Sequence, residues 1–306
     1  MNAMNNLQDA VYGIVGLGIM GGSVAKAIRA NVLDMPEARG KIFACDSLPA
    51  TLDAAVRDGV IDKGFAPSDA GAMLSECDIV YICLYPHATL EFIKAHRNDF
   101  KSASIVTDIS GVKTFLAYGL ADFSRNDVDC IFGHPMAGGE KEGYVNSNGA
   151  YFKGRNYILM LRPSNKVENV ELIKSLIAAM GFTRIVETDC KTHDRKIAFT
   201  SQLCHVIASA LVKSAEDETI TAFGGGSFED LTRIAMINAS LWTELFLANK
   251  DELLSHIAAF EKQLAFMKKA VAENDAASLE AYLADVRTRR MNMGTFVVKT
   301  STVPNG

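Results

Sequence analysis

The chain has 306 residues, a formal net charge of -5 and 49% hydrophobic residues. That length leaves room for about two domains and a substantial core. The acidic balance, with no basic cluster, argues against nucleic acid as a partner. Six cysteines without a C-x-x-C spacing suggest reduced thiols and a cytoplasmic setting rather than a disulfide framework or zinc. No apolar run is long enough to span a bilayer, and residues 1–9 read as a loose polar leader.

The first predicted element is the apolar strand at Val11–Val15. It runs into Gly-Leu-Gly-Ile-Met-Gly-Gly-Ser, a G-x-G-x-x-G pattern on Gly16, Gly18 and Gly21. In a dinucleotide-binding turn the first glycine permits the tight bend. The second lets a pyrophosphate approach, and the third lets the helix pack on the strand. The next strand, Lys41–Asp46, ends on an acid placed to bind ribose hydroxyls. A glycine-rich turn with a capping aspartate is the plainer alternative. A helix over 49–59, strands over 77–86 and 103–108, and a helix over 88–100 follow. Further strands over 128–133, 156–161 and 183–187, with a helix over 167–180, complete the alternation. Strand alternating with helix predicts an α/β fold with a doubly wound parallel (Rossmann-type) sheet.

Beyond about residue 188 the pattern turns wholly helical, over 192–214, 230–247, 251–273 and 277–291, with Ser227 and Asp230 reading as a capping box. The division is therefore a nucleotide-binding domain at 1–188 and an all-α domain at 189–306. So few long helices make a thin layer, which suggests completion by a second copy, a homodimer. The tail after Gly294 is expected to be loosely held.

Ligands of open α/β sheets bind beyond the carboxyl ends of the strands. Three motifs fall there: Leu84-Tyr-Pro86, Asp108-Ile-Ser-Gly-Val-Lys113 and Gly133-His-Pro-Met-Ala-Gly-Gly-Glu140. His134 is the best acid–base candidate, since a strand fixes it and its ordinary pKa lies near neutrality; capping a strand end is the alternative. His205 and His193 on the long helix are open between core and site roles. Arg233 wants a carboxylate, either Asp230 or a substrate. No metal-ligand spacing is present.

Together these motifs, with His193-Asp, Ser201-Gln-Leu-Cys-His205 and Gly224-Gly-Gly-Ser-Phe-x-Asp-Leu-Thr-Arg-Ile-Ala235, resemble the prephenate/arogenate dehydrogenase family of tyrosine biosynthesis over about residues 11–292. The resemblance implies NAD(P)-dependent oxidative decarboxylation of prephenate to 4-hydroxyphenylpyruvate, with a helical dimerisation domain; Asp46, which would repel a 2′-phosphate, points to NAD. It implies His134 as the catalytic base, with Arg233, His205, Glu140 and Lys113 on the substrate side. Gly16, Gly18, Gly21, Asp46 and Pro86 fall on the cofactor side. The family often reads Asp-x-Gly-Ser-Val-Lys, its serine contacting the catalytic histidine. Here Ser110 precedes Gly111, so either Ser110 or a backbone group makes that contact, or it is absent. Neither a fused chorismate mutase nor a regulatory domain is expected. Alternatives are arogenate as substrate, a β-hydroxyacid dehydrogenase, whose glycine string is similar, and a nicotinamide sensor without catalysis.

Overall fold

The computed structural model describes residues 7–123, 125–139, 141–293 and 301–302. They divide into two compact units. One is drawn from residues within 1–194, 236–248 and 301–306, the other from 195–235 and 249–300. Residues 236–248 thus belong with the nucleotide-binding unit although they come from the helical half of the sequence.

In the first unit β1 (Val11–Val15) leads into α1 (Ile19–Ile28), and β2 (Lys41–Cys45) into α2 (Pro49–Arg57). β3 (Lys63–Phe65) and α3 (Ala70–Leu74) precede β4 (Ile79–Ile82) and α4 (Pro86–Ala95), then β5 (Ile105–Asp108) and α5 (Thr114–Gly119). With β6 (Asp129–Cys130) the strands form a six-stranded sheet in the order β3-β2-β1-β4-β5-β6, every pair parallel. Alternation explains the near-continuous apolar strands: Ile42, Ala44, Ile79 and Tyr81 enter the core on one face, while Phe43, Cys45, Val80 and Ile82 enter the other. Strand order reverses between β1 and β4, which opens the ligand crevice of such a sheet.

The remaining strands do not extend that sheet as the sequence led one to expect. The run at 128–133 breaks at Ile131. Asp129–Cys130 pairs with β5, and β7 (Phe132–Pro135) crosses to a second sheet of order β10-β9-β8-β7. There β7 pairs antiparallel with β8 (Asn156–Met160), and β8 pairs parallel with β9 (Arg184–Thr188) across α6 (Val167–Ala179). Among the described residues only short 3-10 turns lie between β7 and β8, and the return is antiparallel. The two-residue β10 (Ser301–Thr302), which the sequence did not signal, pairs antiparallel with β9. Residues 7–9 are not loose either. Leu7 is buried, Tyr12 Oη donates to its carbonyl at 2.7 Å, and Gly40 N donates to Gln8 O at 2.7 Å.

The long helical run comprises α7 (Cys190–Ile197), a π-helical turn at Ala198–Gln202 and α8 (Leu203–Lys213). The expected 230–247 helix is instead α9 (Gly226–Thr232), a 3-10 turn (Arg233–Ala235) and α10 (Ala239–Ala248). Asn238 causes the restart: its Oδ1 accepts from Leu241 N at 2.8 Å, a cap that favours a new helix start. The capping-box reading of Ser227 is also corrected, because the helix starts at Gly226 with Gly225 as its N-cap, two residues before Ser227 and without a side-chain cap. α11 (Lys250–Ala272) and α12 (Ala276–Asn292) follow, and among the described residues no helix is long and apolar enough to cross a membrane. The expected loose tail after Gly294 falls mainly on 295–300 and 303–306, outside the described residues.

Candidate active site

The glycine turn has the shape a dinucleotide needs. Gly16 has φ +88°, and a Cβ there would lie 2.8 Å from Cys83 O. A Cβ on Gly21 would collide with Gly16 O, so this glycine lets helix and turn close together. Around Gly18 a Cβ would meet nothing within 4 Å, which leaves backbone open to a ligand. Gly18 caps α1 without a side-chain bond, so the helix start presents its amides to an anion. Asp46 reaches back to the turn: its Oδ2 accepts from Leu17 N at 2.7 Å and its Oδ1 from Leu48 N at 2.9 Å. Pro86 is the buried first residue of α4, beyond the carboxyl end of β4.

His134 lies within β7, not past its end, and is only partly buried. Its Nδ1 is 2.8 Å from His193 Nε2, and His193 Nδ1 is 2.7 Å from Asp194 Oδ1. Asp194 is itself held by the backbone amides of Lys113 (2.9 Å to Oδ1) and Thr114 (2.7 Å to Oδ2). Burial works against the Asp194 carboxylate, but the hydrogen bonds from His193 and Thr114 outweigh it and hold its pKa below the usual range. Burial lowers the pKa of His193 despite the neighbouring Asp194.

Those facts order the protons. An ionised Asp194 only accepts, so His193 Nδ1 carries a hydrogen. Kept neutral, His193 offers a lone pair at Nε2, so His134 Nδ1 must donate to it. His134 then has its lone pair on Nε2. Burial first, then His193 and Lys113, push the His134 pKa well below the ordinary histidine value. The result is a neutral imidazole with a fixed tautomer and a free acceptor nitrogen, the state a general base requires.

Two expected roles are corrected. Lys113 does not present its ammonium to a ligand. It is fully buried, with Nζ 2.5 Å from Asp108 Oδ2 and 2.6 Å from Gly133 O. Ser110 does not contact His134, whose Nδ1 partner is His193; the Ser110 hydroxyl is buried, and its amide donates to Asp108 Oδ2 at 2.9 Å. Position 111 is the one that faces the histidine. A Cβ on Gly111 would lie 3.9 Å from His134 Cε1 and 3.2 Å from Leu245 Cδ2 of α10. The swapped order of serine and glycine therefore removes the hydroxyl.

Two models of one family match the chain: the nucleotide-binding domain of prephenate dehydrogenase over residues 24–186 and its dimerization domain over 189–285. The chain belongs to the prephenate dehydrogenase family. It is 30% identical to the prephenate dehydrogenase of Lactococcus lactis subsp. cremoris over 288 residues, covering 92% of this chain and 76% of that protein. The cyclohexadienyl dehydrogenase of Zymomonas mobilis is 26% identical, over 92% of this chain and 95% of its own. Among solved structures, the Aquifex aeolicus prephenate dehydrogenase in complex with hydroxyphenyl propionate and NAD+ superposes with a TM-score of 0.82 at 29% identity. That match covers 93% of this chain and 98% of the other. Family membership makes the protein an oxidoreductase of tyrosine biosynthesis.

The other residues expected at a prephenate dehydrogenase site are disposed as follows. Glu140 lies outside the described residues. In the second unit, Arg233 is exposed at the junction of α9 with the 3-10 turn. His205 is half-buried, its Nδ1 2.9 Å from the Ser201 carbonyl oxygen, so Nδ1 donates and Nε2 accepts. Burial lowers its pKa, with a smaller push from Arg233. Sequence reasoning missed the relay itself: His193-Asp194 carries the family resemblance and His193 stays open between core and site roles, but nothing ties either residue to His134. The signal available was adjacency, a histidine followed directly by an acid at a helix start.

Proposed function

We propose that this protein is an NAD-dependent prephenate dehydrogenase, converting prephenate to 4-hydroxyphenylpyruvate and carbon dioxide. The observation that carries this reading is the proton order of the His134–His193–Asp194 chain, which leaves His134 Nε2 as a neutral acceptor. The open backbone at Gly18, the Asp46 carboxylate and the free start of α1 fit a dinucleotide with an unphosphorylated ribose. NAD, when bound, supplies the hydride acceptor.

The chain's own residues do the rest. His134 Nε2 accepts a hydrogen bond from the ring hydroxyl and takes its proton as hydride leaves the same carbon. His193 and Asp194 hold the imidazole in line and stabilise the imidazolium that forms, as a carboxylate does behind a catalytic histidine elsewhere. Loss of carbon dioxide makes the ring aromatic, and the proton on His134 returns to the phenolate oxygen. Aromatisation drives the decarboxylation, so the protein supplies mainly orientation and a base. Arg233 holds the side-chain carboxylate, which the chemistry leaves unchanged, and a strong pairing on the ring carboxylate would oppose its departure. His205 lines the substrate site, and Glu140 belongs at its mouth. The division into a nucleotide domain at 1–188 and a helical domain at 189–306, homodimeric assembly through the latter and a cytoplasmic location complete the proposal.

The test is a set of initial rates with prephenate and arogenate, each with NAD and NADP. The expected result is efficient NAD reduction with prephenate and carbon dioxide released in equal amount. Faster turnover of arogenate would make the protein an arogenate dehydrogenase. Dinucleotide binding without turnover of either would make it a sensor.

A further inference from the structure

Lys113 and Asp108 form a buried ion pair, 0% and 1% exposed. Burying two charges is costly, and such a pair adds little net stability relative to apolar residues of the same volume. Its presence calls for a reason beyond holding the core. The contacts supply one. From its side-chain end Lys113 donates to the carbonyl of Gly133, the peptide group that leads directly into His134. From its backbone end it donates to Asp194 Oδ1, the same oxygen that accepts from His193. Its carboxylate partner shapes the neighbouring turn: Asp108 Oδ2 also accepts from Ser110 N, which sets the path of Gly111 past His134 Cε1.

We propose that Lys113 is a positioning residue for the base, clamping the His134 backbone and the Asp194 anchor into one frame so that the imidazole chain keeps a single proton order. The proposal rests on reading His134 as the base. It also explains why a lysine at a motif beside the site is withdrawn from solvent: it acts through the relay and not on the substrate. The groups that face His134 among the described residues are consistent with this. His193 and the Lys113 ammonium both disfavour a second positive charge on it, adding to burial. Asp108 sits against the ammonium, and Asp194 lies behind His193.

Three proteins test this: wild type, Lys113→Met, and the charge-free pair Asp108→Asn/Lys113→Met. The second variant removes both charges and leaves no unpaired carboxylate in the core, so it carries the test even where the single change lowers stability. Imidazole nitrogen NMR on the resting proteins reads the His134 tautomer and its titration midpoint, and initial rates give kcat and KM. In both variants His134 should lose its single Nδ1–H tautomer and its midpoint should rise. kcat should fall about tenfold or more, while KM for prephenate changes by less than about threefold. A wild-type tautomer and midpoint in the charge-free pair would overturn the proposal. So would a kcat that recovers together with thermal stability, because a merely structural pair would behave that way. Failure of the base reading is seen separately: turnover by His134→Asn at the wild-type rate would remove His134 from the chemistry whatever the Lys113 spectra show.

Discussion

His134 and His205 are both neutral imidazoles pinned at Nδ1, yet they are pinned differently. His134 donates to a second histidine, which donates to a carboxylate held by two backbone amides. His205 donates to the carbonyl of Ser201, one turn back on its own helical run. A proton arriving on His134 is answered by a polarisable chain ending in a negative charge. A proton arriving on His205 is met by a backbone dipole and by the disfavouring charge of Arg233. The first arrangement suits a base that must carry positive charge for a moment. The second suits a fixed hydrogen-bond acceptor that orients a ligand. Residue type is the same; what differs is what stands behind Nδ1.

The sharpest way to break this contrast is to exchange the two. His134→Asn should lower kcat about a hundredfold or more while the dissociation constant for NAD, read by fluorescence titration, stays within about twofold. His205→Asn should lower kcat far less and act mainly on KM. Equal losses of kcat in the two variants would erase the distinction.

A smaller effect is expected from the anchor. An asparagine at 194 keeps one acceptor but turns a donor toward either Thr114 N or His193 Nδ1, and the latter inverts the tautomers along the chain. Asp194→Asn should therefore cost about tenfold to a hundredfold in kcat with little change in KM. Activity close to wild type would mean that the chain does not order His134.

Arg233 sharpens the comparison from the substrate's side. Arg233→Ala should raise KM for prephenate about tenfold or more and lower kcat less, the signature of lost uniform binding. Lysine should rescue only in part, because it cannot make the two-pronged contact. An unchanged KM with a lowered melting temperature would reduce Arg233 to a helix-holding residue. The smallest effect belongs to Gly18→Ala. No atom lies within 4 Å of the added methyl, so the melting temperature should hold while NAD affinity falls severalfold.

The parts of this molecule legible in the sequence are those written in local pattern. The glycine spacing, the acid just after β2 and the apolar run of β4 each state their environment through neighbouring residues, and the parallel sheet follows from them. What depends on distant partners was not legible. Nothing near Ile131 signals that the chain leaves one sheet for another, because the next strand's partner lies at Asn156–Met160. Lys113 reads as a cation beside the site, and only the fold brings Gly133 O and Asp108 around its ammonium. His134 was found by its strand and its glycines. Its relay was not, since residues 134 and 193 meet only after the second sheet and α7 have formed. The helical half shows the converse: Leu264 and Val271 keep more than half their surface exposed on α11, in keeping with the dimerization domain matched there.

The central claim is that His134 works as a neutral base whose pKa the site has lowered. The pH dependence of kcat/KM for prephenate tests it most directly. Only the neutral imidazole can take the hydroxyl proton, so activity is present above the folded-state pKa and lost as pH falls through it. Burial, His193 and Lys113 all push that pKa down. The acid limb should accordingly have its midpoint below 6.5, the ordinary histidine value, with a flat profile from there to neutrality. A midpoint at or above 6.5 would contradict the account, since the group being titrated would then not be an imidazole held neutral by this site.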